Sequence, residues 1–249
     1  MAFRGGMTWP PQSCYISRML ILAIDTALDA CAAAVLDTDN ARLLSRESLS
    51  MQRGHAEALM PLLGQVMQAS GLDFTALDCI VVTTGPGSFT GLRVGLSAAR
   101  GIALAAAKPV VGVTTLSAFA APYVREGDET PILSVIDARH DHVYYQLVTG
   151  SGETIVRPGV APVDEVVEAA RSGAPRLVGN AAQLVAARWP ALTPPPLVVD
   201  QRGAPDIGWV AWLGAAATPE SAPARPLYLR PPDAKPPSNQ LAHAAQPAA

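Results

Sequence analysis

Thr83-Thr-Gly-Pro-Gly-Ser-Phe-Thr-Gly-Leu-Arg-Val-Gly95 decides how this chain is read. It follows the apolar run Cys79-Ile-Val-Val82 and opens an alanine-rich helical pattern that extends to about Ala107. Strand, glycine loop, helix start: that order gathers the free backbone N–H groups of a helix N-terminus around a concave turn, where an anion can dock. The same glycines, Gly85, Gly87 and Gly91, would equally let two elements pack closely. Both readings stand at this level.

Familiar phosphate motifs do not fit the loop. A Walker A loop closes on Gly-Lys-Ser/Thr, whereas this one closes on Thr90-Gly91-Leu92. The step from Gly87 to Gly91 is one residue too long for a dinucleotide fingerprint. Where a ribose-binding carboxylate would follow, the chain reads Lys108-Pro109-Val110.

The bulk properties narrow the class. A chain of 249 residues, 49% apolar and 16% charged, has ample material for a core of two lobes. Its net charge of -3 supplies no broad basic footprint for autonomous tight binding of tRNA or DNA. Cys14, Cys31 and Cys79 are odd in number and lack CxxC spacing, which favours a reducing, cytoplasmic setting. No apolar run reaches the roughly 18 uninterrupted residues of a membrane span. Residues 1–18 carry Trp9-Pro10-Pro11 where a secretory apolar core belongs, so they read as an unstructured extension.

Working outward, Met19–Asp25 and Cys31–Leu36 form an apolar hairpin, and Arg42–Ser50 a third strand. Gln52–Ser70 is an amphipathic helix with Leu59, Leu62, Leu63 and Val66 on one stripe and Gly71 as its stop. Ala76–Val82 is a strand, Gly91–Ala107 a helix, Val110–Val113 a strand and Thr115–Val124 a helix. The second half repeats the plan less clearly. Ile132–Ile136 with Asp137 echoes the first strand and its carboxylate, and Val143–Val148 pairs with it. Helix Val163–Arg171, strand Arg176–Val178, a helix from Gly179-Asn180 to Arg188, strand Leu197–Val199 and helix Ile207–Ala217 follow. The pattern is an α/β fold with mixed sheets, duplicated, its second copy reduced. The expected division is 19–125 for one lobe, 126–230 for the other, and an unstructured tail at 231–249.

Ile24-Asp25-Thr26, Arg53-Gly54-His55 with Pro61, and Gly85-Pro-Gly-Ser-Phe-Thr-Gly-Leu-Arg93, together with Asp137-Ala-Arg139 and Leu227-Tyr-Leu-Arg230, resemble the TsaB (YeaZ) family of bacterial threonylcarbamoyladenosine-synthesis proteins. The match spans roughly Met19 to Arg230. The resemblance implies a two-lobe actin/Hsp70/sugar-kinase-like (ASKHA, RNase H-like) fold. It implies a non-catalytic subunit that dimerises with the transferase TsaD and works with the ATPase TsaE, modifying ANN-decoding tRNAs. Contact with tRNA would come through the complex, and a homodimer by the same surface is expected when the partner is absent.

The residues bear on that role. ATP-using members of the fold grip phosphate with two hairpins in which glycines follow an Asp. Here Asp25 is followed by Thr26-Ala27 and Asp137 by Ala138-Arg139. With Gly85 and Gly87 these mark a vestigial nucleotide cleft, expected to hold no cofactor beyond a weak ATP or ADP contact at the subunit junction. The paralogue's His-x-x-x-His metal pair is reduced to His55, with Leu59 four positions on. His140 and His142, near Asp137 and Asp141, read as a surface turn rather than a metal site. Ser88 and Ser117 lack a His/Asp relay. The expected partner surface comprises His55, Leu59, Met60, Leu63, Met67, Arg93, Gly95, Ala99 and Ile102, on the two helices that the family uses for pairing. Rival readings are an active kinase or ATPase of the same fold, and a metallo- or serine peptidase.

Overall fold

Period-two alternation in the N-terminal apolar runs builds the first sheet and assigns its two faces. In the computed structural model, which describes residues 18–230, β1 (Leu20–Asp25) turns Leu22 and Ile24 to one face and Ile21 and Ala23 to the other. β2 (Ala30–Asp37) and β3 (Arg42–Ser50) pair antiparallel in succession, and the chain then crosses through α1 (His55–Ser70). β4 (Cys79–Gly85) lies parallel to β1. After α2 (Phe89–Ala106), β5 (Val110–Thr114) lies parallel to β4, giving the order β3-β2-β1-β4-β5. Helical crossovers of this kind are what parallel neighbours require. The expected extension, apart from Arg18, and the expected tail lie outside the described residues.

α1 starts at His55 because Gly54 takes φ 88°, and ends where Gly71, at φ 71°, returns its N–H to the Gln68 carbonyl. The stripe Leu59, Leu62, Leu63, Val66 packs with Leu96 and Ala99 of α2 on the Leu22/Ile24 face of the sheet. Burial of such side chains contributes about 1.5–3 kcal/mol each.

The second half repeats the element order without omission. β6 (Ile132–Asp137), β7 (His142–Val148) and β8 (Thr154–Pro162) are antiparallel; α4 (Val163–Ala170), β9 (Arg176–Val178), α5 (Ala182–Ala187) and β10 (Val198–Asp200) complete a sheet of order β10-β9-β6-β7-β8. What is reduced is length: β9 and β10 have three residues each. β8 is missing from the sequence reading because Pro158, Gly159 and Pro162 break its strand signature. An edge strand tolerates them.

The two halves exchange their last helices. In α3 (Thr115–Ala120), Leu116 and Phe119 pack on Ile132, Ile136 and Val178 of the second sheet. In α6 (Ile207–Ala215), Ile207, Val210 and Ala211 pack on Ile21, Ala23 and Val81 of the first. So α6, expected inside a 126–230 lobe, covers the other sheet. A C-terminal strap follows along the β5 edge of the first sheet and onto α2: Gly112 N–H donates to the Ala222 carbonyl (2.8 Å), Arg100 to that of Ala224 (2.7 Å), and Leu227 N–H to that of Thr84 (2.8 Å).

Candidate functional site

Asp25 ends β1 fully buried. Its Oδ1 accepts from Thr83 Oγ1 (2.6 Å) and Ala27 N–H (3.0 Å), while Oδ2 has no partner. Burial pushes the carboxyl above its ordinary range, and the bonds from Thr83 and Ala27 oppose that only in part. The carboxylate therefore organises the turn and is sealed from any ligand.

The glycine loop seals it. Ser88 N–H donates to the Ala27 carbonyl (2.7 Å), and Thr26 Oγ1 donates to the Gly91 carbonyl (2.7 Å). A Cβ on Gly87 would overlap the Ala27 carbonyl oxygen. One on Gly91 would overlap that of Thr26, and one on Gly95 the Thr26 hydroxyl. Gly91 and Gly95 give α2 one bare edge that, with Gly87 of the preceding loop, lies on the β1–β2 turn. Of the two readings of the loop, the close-packing joint is the one realised. Ser88 Oγ caps the helix by accepting from Gly91 N–H (3.3 Å).

The second hairpin is open. Asp137 N–H donates to Asn180 Oδ1 (2.9 Å), and Asp137 Oδ1 accepts from Arg139 N–H (2.7 Å). Arg139, His140 and Asp141 all adopt left-handed φ, at 63°, 50° and 58°. This costs side-chain-bearing residues roughly 1–2 kcal/mol apiece. Arg188 pairs with both Asp141 (2.9 Å) and Asp164 (3.0 Å), and His142 Nδ1 meets the His140 carbonyl (2.7 Å). The carboxylates beside the two histidines are thus engaged in the turn. Among the described residues no group of three His, Cys, Asp or Glu is placed to hold a metal.

Between the hairpins lies a cleft of about 790 Å³. Of the six residues assigned to a vestigial nucleotide cleft, Gly87, Asp137 and Arg139 line it. Asp25, Thr26 and Gly85 are buried beneath the joint, which is a correction. Sequence reasoning missed the mouth of this cleft. Tyr228 of the strap lies on Phe89 (centroids 5.5 Å apart), Arg93 sits over the Phe89 ring at 3.7 Å, and Arg230 donates to the Ala138 carbonyl (3.1 Å). The signal for it was the motif Leu227-Tyr-Leu-Arg230, which supplies both Tyr228 and Arg230.

The expected partner surface also changes. Leu59, Leu63, Met67 and Ala99 are core side chains of the first lobe, and Gly95 is pressed on Thr26. His55 is buried with Nε2 3.1 Å from the Leu28 carbonyl. The apolar stripe of an amphipathic helix faces its own sheet, so these six are unavailable to another protein. Ile102 is half-buried against the core, whereas Met60, 56% accessible, and Arg93 remain on the outer face. Gly64 and Gly101 open onto free space there, and Leu104 is 85% accessible.

Two βββαβαβα halves around a cleft define an ASKHA-like protein, here with α2 packed closely on the β1–β2 turn. A family model described as TsaD, tRNA N6-adenosine threonylcarbamoyltransferase, matches residues 43–197. The tRNA threonylcarbamoyladenosine biosynthesis protein TsaB of Escherichia coli is 37% identical over 127 residues, 51% of this chain and 54% of that protein. An uncharacterized protein of Mycobacterium bovis is 36% identical over 219 residues, 87% of this chain and 94% of its own. Among solved structures, YeaZ from Pseudomonas aeruginosa superposes with a TM-score of 0.70 at 27% identity, covering 85% of this chain and all of that one. The chain belongs to the TsaB/YeaZ family and carries a TsaD-like domain. It spans about half the length of the Escherichia coli relative.

Proposed function

We propose that the chain is a non-catalytic subunit of the tRNA N6-threonylcarbamoyladenosine machinery, one that dimerises with and activates a TsaD-type transferase. Its place is the cytoplasm, with a TsaE-type ATPase as a further component. The close-packed joint supports this reading: Gly87, Gly91 and Gly95 seat α2 against Thr26-Ala27, whose side chains stand where ATP-using members of the fold carry glycines. A kinase or ATPase of this fold needs a backbone cradle for phosphate there, and a peptidase needs a metal group or a triad.

The docking surface in this reading is the outer side of α1 and α2, centred on Met60, Gly64, Arg93, Gly101 and Leu104. Glycine inside a helix costs about 0.5–1 kcal/mol relative to alanine. Two such glycines, facing outward beside exposed apolar side chains, suit the close approach of another helix. The same surface serves a homodimer when the partner is absent.

Reconstitution tests the proposal. Threonylcarbamoyl transfer to an ANN-decoding tRNA by the TsaD-type and TsaE-type proteins should require this chain. The chain alone, given ATP and magnesium, should release no phosphate. Sustained phosphate release by the chain alone would establish the kinase or ATPase reading instead.

A further inference from the structure

The outer strand of a sheet leaves a row of backbone donors and acceptors without partners, a template for another strand. Three of the four such edges among the described residues are protected. The strap takes the β5 edge, with Val111 bridged to Pro223 and Gly112 N–H on the Ala222 carbonyl. Pro158, Gly159 and Pro162 interrupt β8. β10 has three residues and follows Pro194-Pro195-Pro196. β3 has nine residues, none of them proline or glycine, and no described strand pairs with its outer side. Its register shows which groups are open. Met51 N–H donates to the Asp29 carbonyl (3.1 Å), in step with the pairing of Ser50 to Ala30 and Leu49 to Cys31. Alternation then turns the backbone groups of Glu47 and Leu49 toward β2, and those of Arg46, Ser48 and Ser50 away from the sheet. Arg46–Ser50 is exposed throughout, in unbroken register with β2.

The side chains narrow the occupant. Arg46 and Ser48 stand on the α6 side, opposite Ala34 and Ala32, and Glu47 and Leu49 on the α1 side, opposite Ala33 and Cys31. Leu49 is 44% accessible. Arg46 reaches Asp206 only at 4.0 Å, with 64% of its side chain accessible, so its charge is largely unmet. A second copy does not answer it. Twofold pairing about Arg46 or Glu47 sets like charges opposite each other, and pairing about Ser48 sets Arg46 against Ser50 and Glu47 against Leu49. A foreign strand with a carboxylate beside Arg46 and an apolar residue beside Leu49 does answer it. These two positions lie on opposite faces, so acidic and β-branched residues must alternate along that strand. We propose that β3 takes up an extended segment of a partner protein, acidic on one face and apolar on the other, as an added strand. Main-chain bonds at Arg46, Ser48 and Ser50 supply the affinity, and the side chains of Arg46 and Leu49 the selection.

The test uses the full chain alone and no residue of the outer α1–α2 face, so its failure leaves the subunit reading of the preceding section untouched. Fluorescence anisotropy follows a labelled short peptide of alternating valine and glutamate, with a valine–lysine peptide as its control. The glutamate peptide should bind more tightly than the lysine peptide. Ser48→Pro removes an outward N–H and keeps every bond to β2, so it should abolish binding while the chain melts as the wild type does. Arg46→Glu should weaken binding of the glutamate peptide about fivefold, the scale of one cross-strand ion pair, and improve that of the lysine peptide. Should Ser48→Pro melt below the wild type, amide exchange of the wild-type chain followed by NMR decides without a variant. Saturating peptide should slow exchange at Arg46, Ser48 and Ser50 and leave Glu47 and Leu49 unchanged. Binding that survives Ser48→Pro in a folded chain, exchange slowed only elsewhere, equal affinity for the two peptides, or no binding by either overturns the proposal. So does sedimentation of the wild type as a dimer that Ser48→Pro separates, since a second copy then fills the edge.

Discussion

Thr26 and Gly91 hold each other across the joint between the β1–β2 turn and α2. The threonine hydroxyl donates to the glycine carbonyl at 2.7 Å, and the missing side chain of the glycine leaves room for the threonine carbonyl. One pair thus holds the β1–β2 turn against α2 and fixes the angle of that helix.

Gly91→Ala should therefore destabilise the isolated chain by at least about 1–3 kcal/mol, because the added methyl meets backbone that cannot rotate away. Urea unfolding measures it. Gly95→Ala should cost less, since what it meets is the Thr26 hydroxyl. A bulky residue at Gly95 breaks the lobe itself, so it cannot serve as a selective probe of partner binding.

The outer glycines should behave in the opposite sense. Gly64→Ala and Gly101→Ala add a methyl into open space and should each raise stability by about 0.5–1 kcal/mol. If either variant melts below the wild type, its glycine is held by something within the chain.

Asp25 separates hydrogen bonding from charge. Asp25→Ala leaves the Thr83 hydroxyl and the Ala27 N–H buried without an acceptor and should cost about 1–3 kcal/mol or more. Asp25→Asn keeps an acceptor oxygen at Oδ1 and removes the charge. Because burial raises the folded carboxyl above its unfolded value, the native state holds the proton longer than the unfolded chain. Stability from this group is full below the unfolded value and falls as pH rises through the folded one. Melting curves of wild type and Asp25→Asn should converge at acid pH and separate toward neutral and alkaline pH, with Asp25→Asn the more stable. A constant offset at every pH would contradict this.

The parts of this fold legible in the sequence are those where periodicity and punctuation agree. β1 and β2 are short continuous apolar runs buried on both faces, and α1 carries an apolar stripe bounded by Gly54 and Gly71, so the first half reads correctly. β8 is hidden by prolines that only its edge position excuses. The exchange of α3 and α6 leaves no local mark, because a buried helix looks the same whichever sheet it covers. On α1, the apolar stripe with Leu59, Leu63 and Met67 identifies the inward face. The outward side carries Gly64 and Gly101, whose spacing gives no periodic signal. Phe89 and Tyr228 meet only because the strap returns to α2, a contact between residues far apart in the chain.

The most direct measurement is the mass, by analytical ultracentrifugation, of the chain mixed with its TsaD-type partner, for wild type, Gly101→Trp and Leu104→Arg. A heterodimer is expected with the wild type, and its loss with both variants, neither of which should melt below the wild type because positions 101 and 104 face outward. Heterodimers of undiminished affinity from both variants, or no heterodimer with the wild type, would contradict a role carried by the outer face of α1 and α2.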